Sequence, residues 1–323
     1  MTTLCGTDNP VATALEQVIE AFDQETRSDQ PCVNRLLERV RTYRGKLLRP
    51  QLLLLSADAT GGIRDEHIVL GAVVEMVHMA TLVHDDVLDE ADVRRHGATV
   101  NRLAGNEGAV LLGDYLISHA YHLCSSLGST HASRRIAAAT NTVCEGELAQ
   151  IESRGNFALT EVEYIEIIRR KTAALTSVCC ELGAELAQVE PRVVRNMASF
   201  GEDLGIAFQI VDDLLDLTAT EDEMGKSVGR DADLGKLTLP LIRFLRQADE
   251  TDRRRLITTL SRDAVGKAGG VRAILEGSGA IDSAMNTARE YVQSALSRIA
   301  DLPPGHARDR LFATAEFVVQ RRR

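Results

Sequence analysis

Two segments of this chain carry a pair of adjacent aspartates followed, three residues later, by a third: Asp85-Asp86-Val87-Leu88-Asp89 and Asp212-Asp213-Leu214-Leu215-Asp216. Residues four apart share a helix face, so Asp85 projects with Asp89 and Asp212 with Asp216. Like charges at that spacing destabilise a helix by roughly 0.2–0.5 kcal/mol per pair, and burial raises the cost unless a cation sits between them. One such triplet reads as a solvated acidic helix end. Two of identical spacing, each with apolar spacers and each closing an apolar stretch, read as paired sites for hard, oxygen-preferring cations. Mg²⁺ bound together with a phosphorylated ligand is the chemistry to which this donor set points.

Basic side chains accompany the aspartates in four places. Lys46 and Arg49 lie on the junction Gly45–Pro50, and Arg94 and Arg95 follow Asp89 closely. Lys171 stands beside Thr172, and Lys226 and Lys236 follow Asp216. Singly, each reads as a solvated surface charge. Together they surround the aspartates with ammonium and guanidinium donors, a match for diphosphate, whose oxygens bridge metals and accept Lys or Arg donors. Two separate basic groups imply two phosphorylated substrates. Val73, Val77, Ala80 and Thr81, below the first triplet, offer an apolar wall. An amphiphile fits, diphosphate at one end and hydrocarbon at the other. No GxxxxGK[ST], GxGxxG or GxSxG segment occurs, so neither nucleotide use nor a serine nucleophile is supported.

The elements that must hold these residues are helices. None of the seven prolines falls between Pro50 and Pro191, a span that must therefore be built from long helices and short connections. The pattern predicts helices over 10–28, 32–44, 50–59, from Asp65 into the first triplet, 107–125, 131–152, 193–217, 251–262, 280–299 and 305–320. Thr160 and Glu163 have capping-box spacing and open another helix, while Gly266–Gly279 reads as the most flexible internal stretch. A domain split at Pro191 would separate the two triplets, so residues 1–323 are expected to form a single all-α domain. The formal charge of −10, from 47 acidic and 37 basic residues, argues against nucleic-acid binding. The six cysteines lack CxxC spacing and read as reduced core thiols of a cytoplasmic protein. No signal peptide is visible, and no run of 18 apolar residues offers a membrane span.

The chain resembles the trans-type isoprenyl diphosphate synthases, the polyprenyl synthetase family, nearly end to end. The resemblance is carried in order by Gly45-Lys46-x-x-Arg49-Pro50, Glu75-x-x-His78, His84-Asp85-Asp86-x-x-Asp89 and Arg94-Arg95. Gly113-Asp114, Glu145-Gly146-Glu147, Lys171-Thr172, Phe208-Gln209-x-x-Asp212-Asp213-x-x-Asp216, Gly225-Lys226 and Gly235-Lys236-x-Thr238-Leu239-Pro240 follow. It implies a bundle of about ten or more helices around a central cavity. The six aspartates would bind several Mg²⁺ ions, and Asp85, Asp86, Asp89, Asp212 and Asp213 would form the catalytic group with Lys171. Arg94, Lys171, Thr172, Gln209, Lys226 and Lys236 would hold the allylic diphosphate, and Lys46, Arg49, His78 and Arg95 isopentenyl diphosphate. In one departure from the family pattern, His96 stands between Arg94-Arg95 and Gly97. The spacing Glu75-x-x-His78 also occurs in di-iron bundles, but no second copy is present.

In the resembling family, bulk just before the first triplet limits product length. Ala80 and Thr81, roughly 6–8 Å below Asp85 at the helical rise, are small. The expected product is a polyprenyl diphosphate longer than four isoprene units, with Met76, Tyr115 or Tyr121 able to close the floor. The alternatives are a short-chain farnesyl or geranylgeranyl diphosphate synthase and a non-catalytic subunit of a heteromeric synthase. A terpene cyclase or head-to-head prenyltransferase would need neither the Gly45–Pro50 motif nor two diphosphate sites. The resemblance further implies a cytoplasmic homodimer with peripheral membrane contact.

Overall fold

Proline placement accounts for where several helices begin. The computed structural model describes residues 9–95, 97–128, 130–218, 229–262 and 266–321. Helix α1 (Pro10–Glu25) opens on proline after Asn9, whose side chain accepts from Ala12 N at 3.4 Å, and α2 (Pro31–Arg41) also opens on proline. Proline suits that position because the first-turn N–H has no helical partner to lose. Helix α3 (Leu48–Thr60) ends at Gly61. The proline-free span then delivers α4 (Asp65–Leu88), α5 (Val100–Ser125) and α6 (Thr130–Glu152). Between α4 and α5 lies a small hairpin of β1 (Val93–Arg94) and β2 (Gly97–Ala98), antiparallel with Val93 opposite Ala98.

Thr160 and Glu163 form the predicted capping box, Thr160 N to Glu163 Oε2 at 2.8 Å and Glu163 N to Thr160 Oγ1 at 3.3 Å, and start α7 (Glu161–Ile168). A π-helical turn, Arg169–Ala173, leads without a break into α8 (Ala174–Leu186). Helix α9 (Pro191–Thr218) carries the second triplet in its last two turns. The chain continues through α10 (Arg230–Asp233), α11 (Leu239–Gln247), α12 (Glu250–Leu260), α13 (Ala268–Leu275), α14 (Ala280–Arg298) and α15 (His306–Gln320).

The architecture is all-α, with the two-residue strands the only sheet among the described residues. Helix α4 packs along α5, α3 lies against both α4 and α8, and α9 runs along α8 and α14. One apolar cluster links these elements, from Val11 in α1 to Val318 in α15. Val73, Met76, Val77 and Ala80 of α4 are fully buried in it.

Three expectations change. Gly266–Gly279 is not simply a flexible stretch, because Val271, Ile274 and Leu275 bury one face of α13. The helix predicted from 107 begins earlier, at Val100, directly after the hairpin; Gly105, at φ +72°, only kinks it. Of the described cysteines, Cys124, Cys179 and Cys180 are buried, but Cys32 and Cys144 are exposed. Helix α4 is long and apolar enough to cross a membrane by composition alone, although 67% of its most apolar window is buried inside the protein. Its hydrophobicity is that of a central core helix.

Candidate active site

The first triplet closes α4, and its middle residue faces away from the shared face of the other two. Asp86 is fully buried; Tyr43 Oη donates to its Oδ2 at 2.8 Å and Arg94 Nε to its Oδ1 at 2.8 Å. Tyr43 in turn accepts from Val100 N at 3.1 Å, tying the motif to the start of α5. The hairpin carries Arg94 into place, and Arg39 Nη2 pins that residue's carbonyl at 2.7 Å. Burial pushes the Asp85 carboxyl above the usual range; Lys171 pulls it down, while Glu147 and Asp89 push it up.

Lys171 comes from the π-helical turn. Its Nζ lies 2.6 Å from Glu147 Oε2 and donates to Gln150 Oε1 at 2.7 Å, both on α6. The approach of the two elements requires Gly146: a Cβ there would stand 2.4 Å from Lys171 N. Burial by itself would lower the pKa of Lys171, but Asp85, Glu147 and Asp89 outweigh it and raise the value. The lysine is thus a fixed cation.

The second triplet repeats the arrangement with one change. Asp213 is buried and accepts from Tyr164 Oη at 2.6 Å and from Gln209 Nε2 at 2.7 Å. Gln209 Oε1 accepts from Thr172 Oγ1 at 2.6 Å, so the π-helical turn is linked to the second triplet as well. Burial drives the Asp213 carboxyl well above the ordinary range, and Asp231 and Asp212 add to the rise against its two hydrogen-bond donors.

The two triplets meet through Lys236 and Asp231. Lys236 Nζ lies 3.0 Å from Asp89 Oδ1 and 3.5 Å from Asp231 Oδ1, while Asp231 N donates to Asp216 Oδ2 at 3.1 Å. Arg321, after α15, stacks on the Phe208 ring at 3.9 Å, donates to the Phe208 carbonyl at 2.6 Å and stands 3.9 Å from Asp212. Among the described residues, no three His, Cys, Asp or Glu side chains are gathered tightly enough to hold a metal ion by themselves. The donor set therefore suits a hard cation that takes one or two carboxylates from the protein and its remaining oxygens from phosphate and water.

A second basic group lies beside the first. Arg95 crosses Gly45, where a Cβ would stand 2.2 Å from its guanidinium, and donates to the Arg44 carbonyl at 2.7 Å. Lys46 Nζ sits 4.7 Å from the Phe317 ring centroid. Arg49 Nε, Glu75 Oε2 and His78 Nδ1 are buried without hydrogen-bond partners. Burial lowers His78 well below its ordinary pKa, with Arg49, Arg94 and Arg95 adding to the effect, so the ring is neutral. Burial raises Glu75 to about 7, against the pull of Arg49. Orphaned buried polar atoms cost about 1–3 kcal/mol each unless a ligand completes them.

The comparisons with known proteins fall in one family. The polyprenyl synthetase model matches residues 30–276. The chain belongs to the polyprenyl synthetase family. It is a prenyltransferase of that family. The chain is 33% identical to the octaprenyl diphosphate synthase of Escherichia coli over 310 residues, 94% of each protein. Over 291 residues it is 34% identical to a short chain isoprenyl diphosphate synthase of Methanothermobacter thermautotrophicus, covering 89% of this chain and 90% of the relative. A polyprenyl synthase of Caulobacter crescentus, solved with calcium and isoprenyl diphosphate, superposes with a TM-score of 0.91 at 30% identity over the full length of both chains.

Within the polyprenyl synthetase fold the residues singled out by sequence separate into groups. Asp85, Asp89, Lys171 and Lys236 converge, and Asp216 joins them through Asp231. Arg49, His78 and Arg95 interact in the neighbouring group, while Lys46 is placed by its contact with Phe317. The six aspartates differ in their surroundings: the carboxylate oxygens of Asp86 and Asp213 are engaged by protein donors. Thr172 and Gln209 likewise spend hydrogen bonds on positioning Asp213. Lys226 lies outside the described residues. Sequence reasoning missed Tyr43, Tyr164, Gln150, Arg154, Arg230, Asp231 and Arg321. Part of this was available, because successive residues on a helix are about 100° apart, which already turns the middle aspartate off the shared face. Nothing local signals the tyrosines.

Proposed function

We propose that this prenyltransferase condenses isopentenyl diphosphate with an allylic diphosphate, head to tail, giving a trans-polyprenyl diphosphate longer than four isoprene units. One observation carries the reading. Two aspartate triplets from distant parts of the chain share Lys236 and Asp231, while Arg49, Glu75 and His78 nearby hold buried polar atoms without hydrogen-bond partners. One single-domain chain thus offers a place for each of two diphosphates.

Mg²⁺ held by Asp85 and Asp89 on one side and by Asp212 and Asp216 on the other would supply Lewis-acid stabilisation of the leaving diphosphate. Arg94, Lys171, Lys226 and Lys236 donate to the same group, and their charge favours ionisation of the allylic C–O bond. Asp86 holds Arg94, and Thr172 and Gln209 hold Asp213. Lys46, Arg49, His78 and Arg95 fix isopentenyl diphosphate so that its double bond attacks the cation; the departing diphosphate takes the proton released. The apolar wall of α4 keeps water from that cation.

Product length rests on α4, since relatives at 33% and 34% identity are named for long and short chains respectively. Ala80 is fully buried and Thr81 bonds back to the His78 carbonyl at 2.8 Å, so neither side chain fills the space below the triplet with an aromatic ring. The exposed Leu103 and Leu111 on α5 and Leu148 on α6 support assembly as a homodimer. A long hydrocarbon product supports a cytoplasmic enzyme that touches the membrane peripherally.

The test is incubation of the purified protein with Mg²⁺, isopentenyl diphosphate and farnesyl diphosphate, followed by mass spectrometry. A ladder of products beyond four isoprene units is expected, and Ala80→Phe is expected to shorten it. Termination at four units would return the short-chain reading. No turnover from farnesyl, geranyl or dimethylallyl diphosphate would favour a non-catalytic subunit.

A further inference from the structure

The turn that follows α6 presents an arginine that belongs to none of the motifs. Arg154 Nη2 stands 3.4 Å from Asp89 Oδ1, the same oxygen that Lys236 Nζ reaches at 3.0 Å. Arg230 donates to the main-chain carbonyl of Asp89. Three cations from three segments therefore meet at Asp89, with Asp231 beside Lys236. Arg154 Nε is also buried without a hydrogen-bond partner, so the guanidinium has an N–H left to give.

The placement is built into the main chain. Gly155 N donates to the Gly235 carbonyl at 2.9 Å, and both glycines adopt left-handed conformations, φ +71° and +69°. Arg154 and Lys236 each adjoin one end of that bond. A long arginine on a solvated surface would be free to wander, whereas this one is held in register with a lysine already assigned to the diphosphate.

We propose that Arg154 is a further ligand of the allylic diphosphate, resting on Asp89 before substrate binds; this builds on the diphosphate reading of the site. The planar guanidinium presents Nε and Nη as a fork that matches two oxygens of one phosphate, a geometry that lysine lacks. The competing role is a purely structural tie between the ends of α6 and α4.

Calorimetric titration of the full-length protein with inorganic diphosphate and Mg²⁺, beside steady-state kinetics with each substrate, separates the two. Arg154→Ala is expected to weaken diphosphate binding about tenfold, and to raise KM for the allylic substrate similarly, as for one lost charge-assisted hydrogen bond. KM for isopentenyl diphosphate should stay within about twofold. Arg154→Lys, which keeps the charge without the fork, should recover part of the loss and decides the matter should the alanine variant fail to fold. Unchanged diphosphate affinity, or an equal rise in both KM values, would overturn the proposal. Wild-type protein that binds diphosphate but forms no product would sink the proposed reaction while leaving the Arg154 titration decisive. Absence of diphosphate binding by the wild type would end both.

Discussion

The middle aspartates of the two triplets make a controlled comparison. Each is buried, and each accepts from a tyrosine donated by another helix or junction, Tyr43 for Asp86 and Tyr164 for Asp213. The remaining oxygen differs: Asp86 receives a guanidinium from Arg94, Asp213 a neutral amide from Gln209. A buried carboxylate with a cation beside it can stay ionised; one met by amides and by further carboxylates is driven towards its protonated form. The first triplet therefore carries its own counter-charge at the middle position. The asymmetry sets the two walls apart: on the α4 side a guanidinium meets the middle aspartate directly, whereas on the α9 side the nearby cation, Arg321, faces Asp212.

The largest expected effects fall on turnover. Asp85→Asn and Asp212→Asn, on the outward faces of the two triplets, should each lower kcat/KM by about 10³-fold, whereas Gln209→Ala should cost about tenfold through misplacement of Asp213. Equal losses for all three in steady-state assays would break the distinction between binding and positioning residues.

Stability comes next. Arg94→Ala strands a buried carboxylate and should destabilise the metal-free protein by about 2–3 kcal/mol, less than a fully buried pair because Arg94 is partly exposed. Gln209→Ala should cost about 1 kcal/mol, since Asp213 keeps its tyrosine and can retain a proton. Urea denaturation of both variants without metal measures the difference, and a reversed order would refute the assignment of counter-charge.

The smallest effect is in pH dependence. The unfolded Asp213 loses its proton near its ordinary pKa of 3.8, while the folded one holds it to a higher pH. Between those limits the unfolded state binds fewer protons, so this residue makes stability fall as pH rises. Asp213→Asn should flatten the curve of the metal-free protein by about 1.4 kcal/mol per pH unit at most, and Mg²⁺ with diphosphate should flatten the wild-type curve. A steeper slope in the variant would contradict the comparison.

Much of this was legible beforehand. Proline placement and the Thr160–Glu163 box foretold most helices, and triplet spacing with its basic neighbours foretold the chemistry. The unequal standing of the aspartates was not, because it depends on partners 43 and 49 residues distant in the chain. Arg154 and Asp231 escaped for the same reason: their meaning comes from main-chain contacts between α6 and the Gly235 turn, which composition does not encode. The exposed cysteines and the helical 268–275 segment show the opposite failure, where local character was read without knowing which face the fold would bury.

The π-helical turn at Arg169–Ala173 has a consequence for how this chain tolerates length changes. Elsewhere in a helix, removal of one codon rotates every later side chain by about 100° and scrambles the packing. Within 169–173 the same deletion could be absorbed by conversion of the wide turn to a regular α-helix, because a π turn holds one residue more than the ladder requires. The protein would keep a continuous α7–α8 rod, yet Lys171 and Thr172 would no longer both reach their partners on α6 and α9. A one-residue deletion here would thus be silent to the fold and fatal to the active site.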